Sequence, residues 1–75
     1  MAIAITNRQF SPDRIRDARK REGLSRTDVA FALRITYQTV LNWETGRSAP
    51  HVARLQELAS FLKCDVYDFF EVVDE

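Results

Sequence analysis

Residues 24–46, LSRTDVAFALRITYQTVLNWETG, decide how this chain folds. Ser25 suits a helix N-cap, Asp28 follows three residues on, and Val29, Ala30 and Leu33 supply an apolar stripe at helical spacing. The spacing predicts a first helix ending at Leu33, a turn through Arg34 and Ile35, and a second helix capped by Thr36. Val40 and Trp43 are the inward positions of that second helix, leaving Tyr37, Gln38, Leu41, Asn42 and Thr45 outward. The outward set is polar and flat-sided, the kind that suits base edges.

Working outward, the same punctuation recurs. An apolar residue, a capping Ser, Thr or Asp, three residues and a second apolar residue form the hydrophobic staple that sets the entry angle of a helix. The pattern occurs at Phe10-Ser11 to Ile15, Leu24-Ser25 to Val29, Ile35-Thr36 to Val40 and Cys64-Asp65 to Phe69. Pro50, fitting the first turn of a helix, marks a fifth start.

Helix 1 opens at Ser11-Pro12-Asp13 and runs to about Glu22, where Gly23 stops it. Ile15 and Ala18 face inward; Arg14, Arg16, Lys20 and Arg21 face outward. Arg19, at i+4 from Ile15, falls on the buried side, where an unpaired guanidinium is costly. A carboxylate must meet it, and Glu44 is the candidate. After the loop RSAP, helix 4 runs from about Pro50 or His51 to Leu62, with Val52, Leu55, Leu58, Ala59 and Leu62 closing the core. Asp65 caps a short last helix in which Val66, Phe69 and Phe70 seal the end. Ala2 to Ile5 alternate as a short strand or arm, Asn7 to Gln9 read as a linker, and the acidic tail EVVDE is expected to fray. No second strand signal offers the arm a partner within the chain, which leaves a second copy or a disordered tail. Residues 1–10 thus form an arm, 11–71 the folded domain and 72–75 a tail.

The 75 residues allow one small core and no large active-site cleft. No apolar run approaches the roughly 18 residues of a membrane span. Residues 1–5 are too short for a secretory core and lack a basic segment before them, so a cytoplasmic location is the default expectation. One cysteine excludes an internal disulfide and a multi-cysteine zinc site, in keeping with a reducing compartment. His51 has no companion ligands and reads as helix-cap surface; Cys64 reads as a small core residue. A lone His without a cleft argues against nucleophilic catalysis, so neither an enzyme, a cofactor nor a metal is expected. Net charge is zero, but residues 1–50 carry nine Lys/Arg against five Asp/Glu, and residues 51–75 two against six. A front of +4 and a back of −4 would orient the domain on a polyanion.

From Ile15 to Phe70 the chain resembles the Cro and phage-repressor (XRE-like) helix-turn-helix domains. The resemblance rests on Arg19, Gly23-Leu24-Ser25, Val29-Ala30, Leu33, Thr36, Thr39-Val40, Trp43-Glu44, Gly46, Pro50, Leu55, Leu58-Ala59 and the segment from Val66 to Phe70. It implies an all-α, five-helix, lambda-repressor-like bundle that binds double-stranded DNA, often as a homodimer, and usually represses transcription. It implies further that Tyr37, Gln38 and Asn42 reach into the major groove, with Thr36, Leu41 and Thr45 at its edges. Arg26 and Arg47 fall at phosphate-contacting positions, and the Arg19 with Glu44 pair has a family counterpart. Arg34 and Lys63 depart from the pattern by standing where Gly is common.

The residue types suit these roles. Gln and Asn amides match the N6 and N7 edge of adenine, and Leu41 or the Tyr37 ring can pack on a thymine methyl. Phosphate contacts by Arg26 and Arg47 set register without reading sequence. A second reading is an antitoxin-like or adaptor module that holds a protein partner through its aromatic C-terminal end, where Phe61, Tyr67 and Phe70 gather.

Overall fold

The computed structural model describes residues 8–72, which run through β1 (Arg8–Phe10), α1 (Pro12–Arg21), α2 (Arg26–Leu33), α3 (Tyr37–Thr45), α4 (Val52–Phe61), a 3-10 turn (Val66–Phe69) and β2 (Phe70–Val72). The staple grammar explains where these elements begin. The four apolar residues that close the staples, Ile15, Val29, Val40 and Phe69, are among the most deeply buried side chains. Those that open them, Phe10, Leu24, Ile35 and Cys64, pack half-buried against the same core. Each start is therefore clamped to the interior from both sides of its cap.

Three of the four staple caps satisfy orphan helix N–H groups with a side chain. Ser25 Oγ accepts from the Asp28 N–H at 3.0 Å while the Ser25 N–H donates to Asp28 Oδ2 at 2.8 Å. Thr36 Oγ1 accepts from the Thr39 N–H at 3.1 Å. Asp65 Oδ1 accepts from the Tyr67 N–H at 3.1 Å, and the Asp65 N–H donates to Asp68 Oδ2 at 3.0 Å. Ser11 differs: it is extended and buried, but its side chain makes no capping bond. Its N–H instead donates to the Phe69 carbonyl at 2.8 Å, tying α1 to the 3-10 turn.

α3 packs against α1 and α2, α2 also against α4, and the 3-10 turn lies under α1 and α4. The core combines Ile15 and Ala18 of α1, Val29, Ala30 and Leu33 of α2, Val40 and Trp43 of α3, and Leu55, Leu58 and Ala59 of α4, closed by Leu62 and Phe69. Each large apolar side chain so buried contributes about 1.5–3 kcal/mol. Arg54 Nη1 donates to the Leu33 carbonyl at 3.0 Å, satisfying one acceptor at the C-terminal end of α2. Burial raises the Cys64 thiol above its ordinary pKa.

The architecture corrects several expectations. The described residues hold four α-helices, not five, because the last helical element is a 3-10 turn of four residues that passes directly into extended backbone at Phe70. Pro50 does not open α4: it is buried just ahead of the exposed N-cap His51, and the helix starts at Val52. Val52 is 68% exposed rather than core, since it opens the helix one turn ahead of the packed stripe that begins at Leu55.

A two-stranded antiparallel sheet joins the ends of the described chain, with Arg8 opposite Val72, Gln9 opposite Glu71 and Phe10 opposite Phe70. The stretch read as a linker therefore includes a strand, and its partner lies in the same chain. Glu71 and Val72, expected to fray, are paired. The alternation at Ala2 to Ile5 lies outside the described residues. The Phe10 and Phe70 rings meet edge to face, with centroids 6.1 Å apart. Of the C-terminal aromatics read as surface, Phe61 and Phe70 pack against the core and Tyr67 is exposed.

Arg34 and Lys63, which close helices where Gly is common, both adopt φ 59. A side chain in this left-handed region is strained. Arg34→Gly is expected to relieve that strain against a partly offsetting gain in unfolded-chain entropy, for a net stabilisation of about 0.5–1 kcal/mol. Thermal unfolding checks this: Tm should rise by a few degrees, and a fall would contradict the strain argument.

Candidate nucleic-acid interface

The outward face of α3 is built by what its inward face does. Val40 is fully buried and Trp43 is 5% exposed, so the back of the helix is seated in the core. Successive residues advance 100° around a helix, which turns Tyr37, Gln38, Leu41 and Thr45 away from that seat. Tyr37, Gln38 and Thr45 are exposed, and Leu41 and Asn42 are half-buried at the flanks of the face. Gly46, at φ 84, ends the helix in the left-handed conformation that suits glycine, and the Arg47 N–H returns to the Asn42 carbonyl at 2.9 Å. The exposed Arg47 side chain is thereby placed at the mouth of the loop after α3.

Several of these side chains are already hydrogen-bonded to one another. Gln38 Nε2 donates to Asn42 Oδ1 at 2.9 Å. The Thr36 and Thr39 hydroxyls lie 2.9 Å apart, and Thr45 Oγ1 donates back to the Leu41 carbonyl at 2.8 Å. These bonds lie on the exposed side of the helix.

Glu44 holds the face to the rest of the domain. Arg19 Nε donates to Glu44 Oε2 at 2.7 Å and Arg19 Nη2 to Oε1 at 3.1 Å, a bidentate pair with side chains 8% and 1% exposed. Arg19 Nη1 also donates to the Leu24 carbonyl at 2.9 Å, so the guanidinium fastens the turn before α2 as well. A second guanidinium joins: Arg26 Nε donates to Glu44 Oε1 at 2.9 Å, and Arg26 Nη1 to Tyr37 Oη at 3.3 Å. Burial alone would raise the Glu44 pKa, but the hydrogen bonds from Arg19 and Arg26 outweigh it and hold the carboxyl below its ordinary range. The bonds to Tyr37 and then Glu44 raise the Arg26 pKa, keeping it charged.

The residues singled out in the sequence thus fall into two groups. Tyr37, Gln38, Leu41, Asn42 and Thr45 share the open side of α3, with Thr36 at its start and Arg47 beyond its end. Arg19 and Glu44 lie behind it. Arg26 belongs to both groups, a position that sequence spacing does not reveal because its partners are 11 and 18 residues away. Among the described residues no cluster of three or more His, Cys, Asp or Glu could hold a metal, and no helix is long and apolar enough to cross a membrane.

Comparison with known proteins bears on this geometry. A family model described as Helix-turn-helix matches residues 15–69, the span from α1 through the 3-10 turn. The chain is similar to the HTH-type transcriptional regulator DdrOP3 of Deinococcus deserti, 36% identical over 62 residues that cover 83% of this chain and 48% of the relative. The chain spans about half the length of that curated relative. No solved structure matches it. With the match running across both helices of the motif, their turn and the elements that seat them, the chain belongs to the XRE-like helix-turn-helix family of DNA-binding domains.

Proposed function

We propose that this chain is a sequence-specific, double-stranded DNA-binding transcriptional regulator, a repressor, that inserts α3 into the major groove. The observation that carries the reading is the seating of α3: Val40 and Trp43 are locked in the core while Tyr37 and Gln38 stand open. The relative's name as a transcriptional regulator supports the same role. In this reading Tyr37, Gln38, Leu41 and Asn42 meet base edges, through amide hydrogen bonds and apolar contact with thymine methyls. Arg47, Thr36 and Thr45 meet the phosphate backbone beside them. Arg26 also faces phosphate, using donors beyond the two it commits to Glu44 and Tyr37, since a guanidinium has five. Residues 11–71 form the DNA-binding unit, and two copies sit on a pseudo-palindromic operator with half-sites about one helical turn apart.

Gln38 and Arg47 test the division between reading and gripping. Selection of bound duplexes from a random pool supplies the operator, and fluorescence anisotropy supplies affinities. Gln38→Ala is expected to relax preference at one base pair, with a loss of roughly 1–3 kcal/mol confined to sequences carrying the preferred base. Arg47→Ala is expected to weaken all sequences alike and to reduce the salt slope by about one. The same uniform loss in both variants would overturn the assignment.

A further inference from the structure

The hydrogen bond between Gln38 and Asn42 restricts what Gln38 can read. The two residues stand one helical turn apart on the open side of α3, Gln38 exposed and Asn42 half-buried. Gln38 Nε2 donates to Asn42 Oδ1 at 2.9 Å, which fixes which end of the glutamine amide points toward Asn42. A glutamine amide has two N–H donors and one carbonyl acceptor. With one N–H committed to Asn42, Gln38 offers outward one donor and its carbonyl oxygen.

Adenine presents in the major groove an N7 acceptor beside an N6 donor, which that pair complements. Guanine presents two acceptors, N7 and O6. An amide bridging both needs its two N–H groups together, and here one is held by Asn42 while Oε1 would meet guanine O6 lone pair to lone pair. Resting on the major-groove reading above, we infer that Asn42 is a positioning residue: it holds the Gln38 amide in the orientation that selects adenine and rejects guanine. Ordering Gln38 before DNA arrives also lowers the entropy lost on binding.

The test measures adenine-to-guanine preference at the base pair read by Gln38, on the selected duplex, for the 75-residue chain and its Gln38→Ala, Asn42→Ala, Asn42→Asp and doubly Ala-substituted variants. Circular dichroism melts establish that each is folded. The wild type should prefer adenine by roughly 5- to 150-fold. Asn42→Ala should cut that preference to below about threefold at the same base pair, and the double variant should read no worse than Gln38→Ala. Asn42→Asp keeps an acceptor oxygen for Gln38 Nε2, so it should retain the adenine preference while binding every sequence more weakly because of its added negative charge. An Asn42→Ala variant that keeps the adenine preference at the Gln38 base pair, its loss falling only at a different base pair and adding to that of Gln38→Ala, would overturn the inference by making Asn42 an independent reader and nothing more. So would a guanine preference at the Gln38 position, or an Asn42→Asp variant that loses the adenine preference as Asn42→Ala does. If Gln38→Ala leaves the whole wild-type preference intact, or the wild type has none, the major-groove reading itself fails and this inference with it.

Discussion

Glu44→Ala is expected to lower the free energy of unfolding by about 3–5 kcal/mol, which for a domain of this size is a large share of a total of roughly 4–11 kcal/mol. The effect is large because truncation does not merely subtract an ion pair. It leaves Arg19, 6% exposed, with a charge that the core cannot solvate and only the Leu24 carbonyl among the acceptors described above. Arg26 loses the same partner but is less buried and can turn to water, so Arg19 dominates the cost. Urea unfolding of the wild type, Glu44→Ala and Glu44→Gln measures it. Gln preserves the shape and one acceptor and should fall between the other two; a loss under 1 kcal/mol for the Ala variant would show that the pair is not needed to keep Arg19 folded in.

The same carboxylate sets an acid limit. Its folded pKa lies below its ordinary value of 4.5, because the two arginine hydrogen bonds overcome burial. A depressed carboxylate contributes stability that is fully present above the unfolded pKa and is lost as pH falls through the folded one. Wild-type Tm should therefore drop more steeply than that of Glu44→Gln as pH is lowered from about 5 toward 2. Parallel curves would contradict the linkage.

Trp43→Ala is the second large effect, with an expected loss of about 3–5 kcal/mol. Trp43 fills the space between the back of α3 and the core at 5% exposure, and a backbone seated by so few residues cannot close a hole of that size. The consequence extends beyond stability, since the seat of α3 is what orients its open side. The fraction of variant that stays folded should bind all duplexes more weakly while keeping the base preference of Gln38. Trp43 is the chain's one tryptophan, so its fluorescence gives a clean unfolding signal for the wild type, and circular dichroism serves for the variant. A stability within 1 kcal/mol of wild type would remove Trp43 from the core account. Glu44 and Trp43 are adjacent on α3, so their losses should not add.

How much of this was legible in the sequence follows from how local each cause is. Ser25, Thr36 and Asp65 announce their helix starts because a cap and its staple lie within six residues, and that grammar placed Ile15, Val29, Val40 and Phe69 in the core. Arg19 could be read as needing a carboxylate from its place on the helix alone. Arg26 bonding to Glu44 and Tyr37 could not, because the docking of α2 on α3 brings them together. The strands at Arg8–Phe10 and Phe70–Val72 are too short for a period of two to register, and their partners are some sixty residues apart. The cap at Asp65 predicts a last short helix, but the backbone turns extended at Phe70 after four residues of 3-10 turn, before an α-helical ladder can form. For the open side of α3 the sequence supplied the residue types, and the fold supplies their shared exposure and the bond that joins Gln38 to Asn42.

The central claim is that the open side of α3 enters the major groove, and base analogues in the selected operator test it most directly. 7-Deazaadenine removes the major-groove N7 and leaves the minor groove unchanged, whereas 3-deazaadenine does the reverse. At the adenine assigned to Gln38, the first substitution should weaken binding by roughly tenfold and the second by less than twofold. The opposite pattern, or equal indifference to both, would contradict the account.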